Sequence, residues 1–409
     1  MGAGAPAFTE FVREASADDL TDLARNMPSE AKMRFAQCLR AVGDVGEVGN
    51  ERTPDDPSHI SSLRAEFPYQ GEIVDTERRG ITVGQLQRVV DFVTKACETW
   101  TDTNPYSKTS GQMISIEFAN LYHVNDWVIR PATRDRDCAF VELLWADPQT
   151  PRWFISHWWG EAIREFMKCT KRHYCLRHEN PKQADAWAYW VCAYANRQHS
   201  LGKELTLDPK ETSFYKAMKL AVGVLLILEQ EATPFSRIWC DFEESVAVQD
   251  ERLLLDIATS VLTKEGVAII TQGAASEDER KAKAFRQDPL QIKIKREASF
   301  PLEVARVGLT VKIQLGNASM EADRVHILNC LAERPNLEER PVLEEHINYE
   351  CVNRQLRAMF AKVLCGVVVK QSLLQELKIL EIISEDLQCK HLQFTLGCKE
   401  LMNVDEIGK

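Results

Sequence analysis

The clearest alternation of apolar and polar positions lies in the middle of the chain. RWFIS (152–156) is a short β-rich run, and the segment from Glu161 to about Leu176 follows with helical spacing. AWAYWVCAYA (186–195) has another strand-like core. Ser213 to Leu220 carries Phe214, Ala217 and Met218 at helical spacing, and GVLLILEQ (223–230) is an almost continuous apolar strand. Pro234 to Val248 reads as a helix, GVAIIT (266–271) as a strand, LTVKIQL (309–315) as a fifth strand and Met320 to Ala332 as a last helix. Strands that alternate with helices, and are apolar enough to be covered on both faces, imply a parallel sheet. The right-handed crossover rule then predicts a doubly wound α/β domain of about 180 residues.

The flanks are helical in pattern. The first 43 residues read as two short helices, with Ser16 and Asp19 as a capping arrangement and Met33, Phe35, Ala36, Leu39 and Val42 as an apolar face. Gly43 to His59 shifts to Gly, Asp, Glu and Pro and reads as a linker. Leu86, Val89, Val90 and Val93 mark an amphipathic helix, and Ser107 to Trp145 has no clear period. From Pro335 two helical faces follow, Val352, Leu356, Met359, Phe360 and Val363, then Leu373, Leu374, Leu377 and Leu380. These leucines show no repeating period, so helices packed on the core are expected rather than a leucine-rich repeat. The expected organisation is N-terminal helices at 1–43, a linker at 44–59, a helical and irregular lead-in at 60–151, the α/β domain at 152–334 and a helical extension at 335–409.

Composition narrows the function classes. Among 409 residues, 50 basic side chains face 61 acidic ones, a net charge of −11, which argues against nucleic acid as a partner. No apolar run approaches the roughly 18–20 residues of a membrane span. The opening MGAGAPAFTEF lacks a basic stretch followed by an apolar one, and Pro6 stands where a myristoylation motif wants Ser or Thr. The 12 Cys are scattered, which suits reduced thiols, so a cytoplasmic protein is expected. All nine Trp fall between Trp100 and Trp239, in the third that holds the candidate chemistry. Trp153, Trp187 and Trp190 are expected in the core. Trp100, Trp127 and Trp145 belong to a lead-in expected to pack on the domain, and Trp158, Trp159 and Trp239 fall at the edge where ligands would bind.

In a doubly wound sheet, ligands bind beyond the carboxyl ends of the strands, near the point where strand order reverses. The residues that follow the strands are Ser156, His157, Trp158, Trp159, Gly160 and Glu161, then Asn196, Arg197, Gln198 and His199, then Glu229 and the helix start PFSRIWCDFE (234–243). Aromatic rings there can stack on a flat ligand, and amides and Ser can bind hydroxyls or phosphates. Ser156 beside His157 is a weak serine-hydrolase signal, because adjacent residues at a strand end point apart. Cys240 with His157 would make a thiol nucleophile, but its apolar helix context favours a buried inert thiol. Cys169, His173, Cys175 and His178 follow C-x3-H-x-C-x2-H. On a helix Cys175 turns away from the first two, so incidental placement outweighs a zinc site.

Taken in order, FISHWWGE (154–161), WVCAYANRQ (190–198), SFYKAMKLAVGVLLIL (213–228) and RIWCDFEE (237–244) resemble a Toll/interleukin-1-receptor (TIR) domain. The "FISH"-like first strand, an apolar third strand and the WC-x-x-E helix, here SRIWCDFE from Ser236, carry the likeness. The second block is also similar to fungal heterokaryon-incompatibility (HET) relatives. The middle region resembles an uncharacterised protist group, abundant in dinoflagellates, that shares SHWWGE, WVCAYAN and RIWC. The resemblance covers roughly 152–332 and implies a flavodoxin-like sheet of about five parallel strands, with helical N- and C-terminal extensions. It implies one of two roles. The first is an NAD+ glycohydrolase in a signalling or defence context, with NAD+ as substrate and no cofactor. Its catalytic carboxylate would be Glu243, and Ser156, His157, Trp158, Trp159, Asn196, Gln198 and Trp239 would bind the ligand. The second is a non-enzymatic scaffold that assembles through the α/β domain, as a homo-oligomer or with a partner protein. Asp241 and Glu244 depart from the family pattern by crowding Glu243 with like charge.

Overall fold

The computed structural model describes residues 53–105, 107, 109–178, 187–204, 206–261, 263, 266–342 and 345–371. The helices expected within 1–43 and the Leu373–Leu380 face lie outside the described residues. The chain forms two compact units, Met1–Thr53 with Thr99–Met113, and Pro54–Glu98 with Ile114–Lys409. In the first, Thr101 bridges to Met113, and the Asp102 carboxylate accepts hydrogen bonds from the Asn104 amide at 2.9 Å and the Thr109 hydroxyl at 2.7 Å.

The second unit opens with helix α1 (Pro57–Glu66), capped by the Asp56 carboxylate. Strand β1 (Ile81–Thr82) runs into α2 (Val83–Ala96), where Thr82 and Gln85 form a capping box and Leu86, Val89, Val90 and Val93 are buried. There follow β2 (Pro151–His157), α3 (Ile163–Arg177), β3 (Ala188–Trp190), α4 (Ser213–Leu220) and β4 (Gly223–Ile227). Next come α5 (Ile238–Gln249), β5 (Leu254–Thr259) and β6 (Ala268–Ile270), then α6 (Pro289–Glu297), α7 (Leu302–Gly308), α8 (Glu321–Leu331) and α9 (Ile347–Gln371).

The six strands form one sheet in the order β1-β3-β2-β4-β5-β6. β3, β2, β4 and β5 are parallel neighbours, and the edge strands β1 and β6 are antiparallel. Phe154 pairs with Val224 and Val224 with Leu255, so these side chains share one face. They join Trp190, Leu226 and Ile257 in a core completed by Phe242, Val304, Leu328, Leu356 and Phe360 from the helices on that face. The opposite face carries Trp153, Tyr189 and Asp256 against α3. There the His173 ring takes the Tyr189 hydroxyl at 2.9 Å and Asp256 at 3.0 Å, and Arg177 forks onto Asp256 at 2.6 and 2.7 Å. All five residues of β4 are buried, as expected of a strand covered on both faces.

Several expectations are corrected. LTVKIQL is not a strand: Leu309 caps α7, and Ile313–Leu315 is a 3-10 turn whose Ile313 amide bonds Asn353 of α9 at 2.9 Å. A strand the pattern did not announce, β5, takes its place in the sheet. AWAYWVCAYA keeps only Ala188–Trp190 in the strand, and Cys192–Ala195 turns into one helical turn. The stretch without period, Ser107 to Trp145, holds the helical run Leu121–Val124, Asn125–Ile129 and Arg130–Thr133. Trp127 is fully buried, whereas Trp145 is 51% exposed. Among the described residues no helix is long and apolar enough to cross a membrane.

Candidate functional site

β2 leads to β3 on one side and has β4 on the other, so strand order reverses at β2. At the carboxyl ends of these strands lies a cavity of about 290 Å³. Seven of the eight residues singled out in the sequence line it: His157, Trp158, Trp159, Asn196, Gln198, Trp239 and Glu243. The eighth, Ser156, lies just beneath, wholly buried. Ser156 shares the sheet face of Phe154, and its hydroxyl stands near the Glu243 carboxyl and the Cys240 thiol without a hydrogen bond of full geometry.

Glu243 and Trp239 stand one turn apart on α5 and so share a face. Glu243 is 5% exposed, and burial pushes its carboxyl up to about 8, with the Ser156 hydroxyl pulling the other way. The free carboxyl is therefore protonated at neutral pH. Asp241 and Glu244, on the same helix, are also buried, and none of their four carboxylate oxygens has a hydrogen-bond partner. Burial and the crowding of these three acids push Asp241 and Glu244 well up as well. Of the crowding expected at Glu243, the like-charge repulsion falls on Asp241 and Glu244, whereas Glu243 itself is raised by burial.

His157 is 7% exposed and neither ring nitrogen has a partner; burial lowers it to about 4, so the imidazole is neutral. Its ring lies 4.7 Å from Phe166 of α3, on the side of the sheet opposite Ser156. A Ser156–His157 nucleophile is therefore not assembled. Nor is a Cys240–His157 pair: the Cys240 thiol donates to the His157 backbone carbonyl at 3.7 Å, and burial with Glu243 beside it raises the thiol far above its usual range.

The aromatic walls are fixed by their polar edges. The Trp159 indole N–H donates to the Cys192 sulfur at 3.2 Å, and its ring tilts against Tyr122 at 5.6 Å. Trp239 stacks on Phe214 at 5.1 Å and donates to the Asp323 carboxylate at 3.0 Å. Trp158 lies so close over Gly160 that a Cβ there would meet its ring at 2.2 Å, which only glycine avoids. Asn196 accepts from the Ser213 hydroxyl at 2.8 Å, and the Gln198 amide donates to the Ala193 carbonyl at 3.0 Å. These two amides pin the cavity wall through groups that the sequence reading assigned to the ligand.

Sequence reasoning missed Tyr122, Cys192, Phe214, Arg237, Ser319 and Asp323, which also line the cavity. Tyr122 falls in the stretch without period, and Ser319 and Asp323 follow the segment misread as a strand. The loop bearing Ser319 is tied to α5 by the Ile238 amide on the Asn317 carbonyl at 3.0 Å and the Asn317 amide on the Ser236 carbonyl at 2.8 Å. The four members of the C-x3-H-x-C-x2-H pattern part company. Cys169 is buried, His173 is held by Tyr189 and Asp256, Cys175 is exposed, and His178 stacks on Tyr174 at 4.9 Å. Among the described residues no three His, Cys, Asp or Glu side chains gather as a metal-ligand set. No protein-family model, no curated protein and no solved structure matches this chain.

Proposed function

We propose that this chain carries a TIR-like, flavodoxin-like α/β domain that cleaves the nicotinamide–ribose bond of NAD+ in the cytosol, with Glu243 as the catalytic carboxylate. One observation carries the reading: the Glu243 carboxyl stands buried in a cavity walled by Trp158, Trp159, Trp239 and Tyr122, at the strand ends where order reverses. Flat aromatic walls suit a nicotinamide ring, and a cationic ring lying on them gains a cation–π attraction. The same positive charge favours the ionised form of Glu243, so the substrate itself draws off the proton that burial retains in the free protein. As the C1′–N1 bond breaks, its electron pair leaves on nicotinamide, which departs neutral. The Glu243 carboxylate faces the charge left on the ribosyl ring, as in glycoside cleavage. Water adds at C1′ and gives up a proton, so the products are ADP-ribose, nicotinamide and H+.

The test incubates purified protein with NAD+ and quantifies free nicotinamide. Release is expected from the wild type, and Glu243→Gln, which keeps the side-chain shape, is expected to lower it by roughly 10²-fold or more. No release from concentrated wild-type protein, or equal release from the variant, overturns the reading. Concentration-dependent oligomers by light scattering, without release, would instead support an assembly module.

A further inference from the structure

The cavity carries polar groups at both ends, with aromatic walls between them. Its floor holds Glu243, with Ser156 beneath. Its walls are indole, phenol and phenyl rings. Its rim holds Arg237 and Ser319, joined by one long hydrogen bond of 3.4 Å. Arg237 makes no ion pair among the described residues, although a guanidinium presents five donors in a planar fork. Its acidic neighbour on the rim is engaged elsewhere, since Asp323 accepts the Trp239 indole. The next cation along, Arg324, is turned to the Gly316 and Gln314 carbonyls at 2.8 and 3.0 Å, which fixes the loop that presents Ser319.

Size sharpens this. A cavity of about 290 Å³ that opens to solvent lies at the low end of ligand pockets and seats a ring with a sugar, the rest of a longer ligand passing its rim. Arg237 and Glu243 are six positions apart on one helix start, about 9 Å along its axis. A ligand whose ring stands at Glu243 therefore brings the next group of its chain to the rim.

We propose that Arg237, with Ser319, forms an anion subsite that takes the phosphate attached to the sugar of a ring–sugar–phosphate ligand. The inference rests on the ring-binding reading above and adds to it the group that selects nucleotides over nucleosides. A forked guanidinium meets two phosphate oxygens at once, and the Ser319 hydroxyl donates to a third. Charge-assisted contacts of this kind predict a phosphate-bearing ligand bound roughly 10- to 100-fold more tightly than its dephosphorylated form.

The experiment titrates nicotinamide mononucleotide and nicotinamide riboside, which differ only in the phosphate, by calorimetry. The full chain carries Glu243→Gln so that neither probe is consumed. The mononucleotide is expected to bind at least tenfold tighter, and adding Arg237→Gln is expected to bring the two affinities together by weakening the mononucleotide alone. Equal affinities without the Arg237 change overturn the anion subsite and leave the ring slot and the cleavage reading standing. A preference that survives Arg237→Gln overturns the assignment to Arg237, as does an equal loss for both probes. Binding of neither probe overturns this inference and the ring slot together, whereas nicotinamide release bears on the cleavage reading alone. Should Arg237→Gln fold poorly, Arg237→Lys decides: it keeps the charge but not the fork, so a reduced preference supports the subsite and an unchanged one overturns it.

Discussion

Glu243 links stability and chemistry through one proton. Its folded value of about 8 lies above the ordinary 4.5, so between those values the folded protein holds a proton that the unfolded chain has released. Stability tied to this group is complete below about 4.5 and is lost as pH rises through 8. Glu243→Gln carries no such proton. It is expected to gain on the wild type from pH 5 to pH 8 and then level off, the total being a few kcal/mol. Scanning calorimetry of both proteins across that range checks it, and a constant difference in Tm would refute it. The groups around the carboxyl are Ser156, Cys192 and Cys240, with Asp241 and Glu244 on its own helix, and all remain in both proteins. Nicotinamide release should move the opposite way at low substrate, rising with pH through about 8 as the free carboxyl ionises. At this scale the sequence was legible in part: the eight residues chosen as the site came to the cavity or directly beneath it, whereas Arg197, His199 and Glu229 from the same strand ends turn to Glu72, the Arg130 carbonyl and the Glu231 amide instead. What it could not convey was division of labour, because Asn196 and Gln198 spend their amides on the wall while Glu243 and His157 keep their polar atoms unused.

At the scale of elements, α3 is fastened to the sheet by charge as well as by apolar packing. Burial alone would raise Asp256, but hydrogen bonds from His173 and Arg177 outweigh it and leave the carboxylate below its usual range. Asp256→Asn would strand Arg177 and His173 in the interior, a loss of roughly 3–5 kcal/mol, seen as a lower midpoint in urea. An unfolding free energy lowered by less than about 1 kcal/mol would show the network contributes little. None of this partnership could be read from spacing, because His173 and Asp256 are distant in sequence and β5 itself was not recognised. Its LLDIAT run carries a buried charge where an apolar strand was sought. LTVKIQL erred in the other direction: alternation at 309–315 arises because a helix end and a 3-10 turn happen to bury Val311 and Ile313 in the core under α9.

For the whole second unit, the C-terminal helices are part of the core. Tyr349, Val352, Leu356, Phe360, Val363 and Leu364 of α9 join the same buried cluster as Phe154 and Val224 of the sheet. In addition, Gly308 of α7 lies so near Phe360 that a Cβ would meet the ring at 2.3 Å. A chain ended at residue 334 would expose this face. It is expected to lose cooperative thermal unfolding and bind an apolar dye, whereas a sharp transition equal to that of the full chain would refute the claim. The apolar stripe of α9 was plain in the sequence. What it packed against was not, since a stripe announces a buried face without naming the partner.

The register of the central strands carries one more consequence, in time rather than space. Trp153 and Gly223 are paired neighbours about seventy positions apart, whereas β5 and β6 are joined by a short connection. Closing the larger loop costs chain entropy before any contact offsets it, so the β5–β6 hairpin can form early and the β2–β4 pairing must come late. The cavity, which straddles the ends of those late strands, is therefore among the last parts of the molecule to be assembled. Until then the fully apolar β4 waits unpaired, and slow synthesis or cooler growth should favour the soluble product.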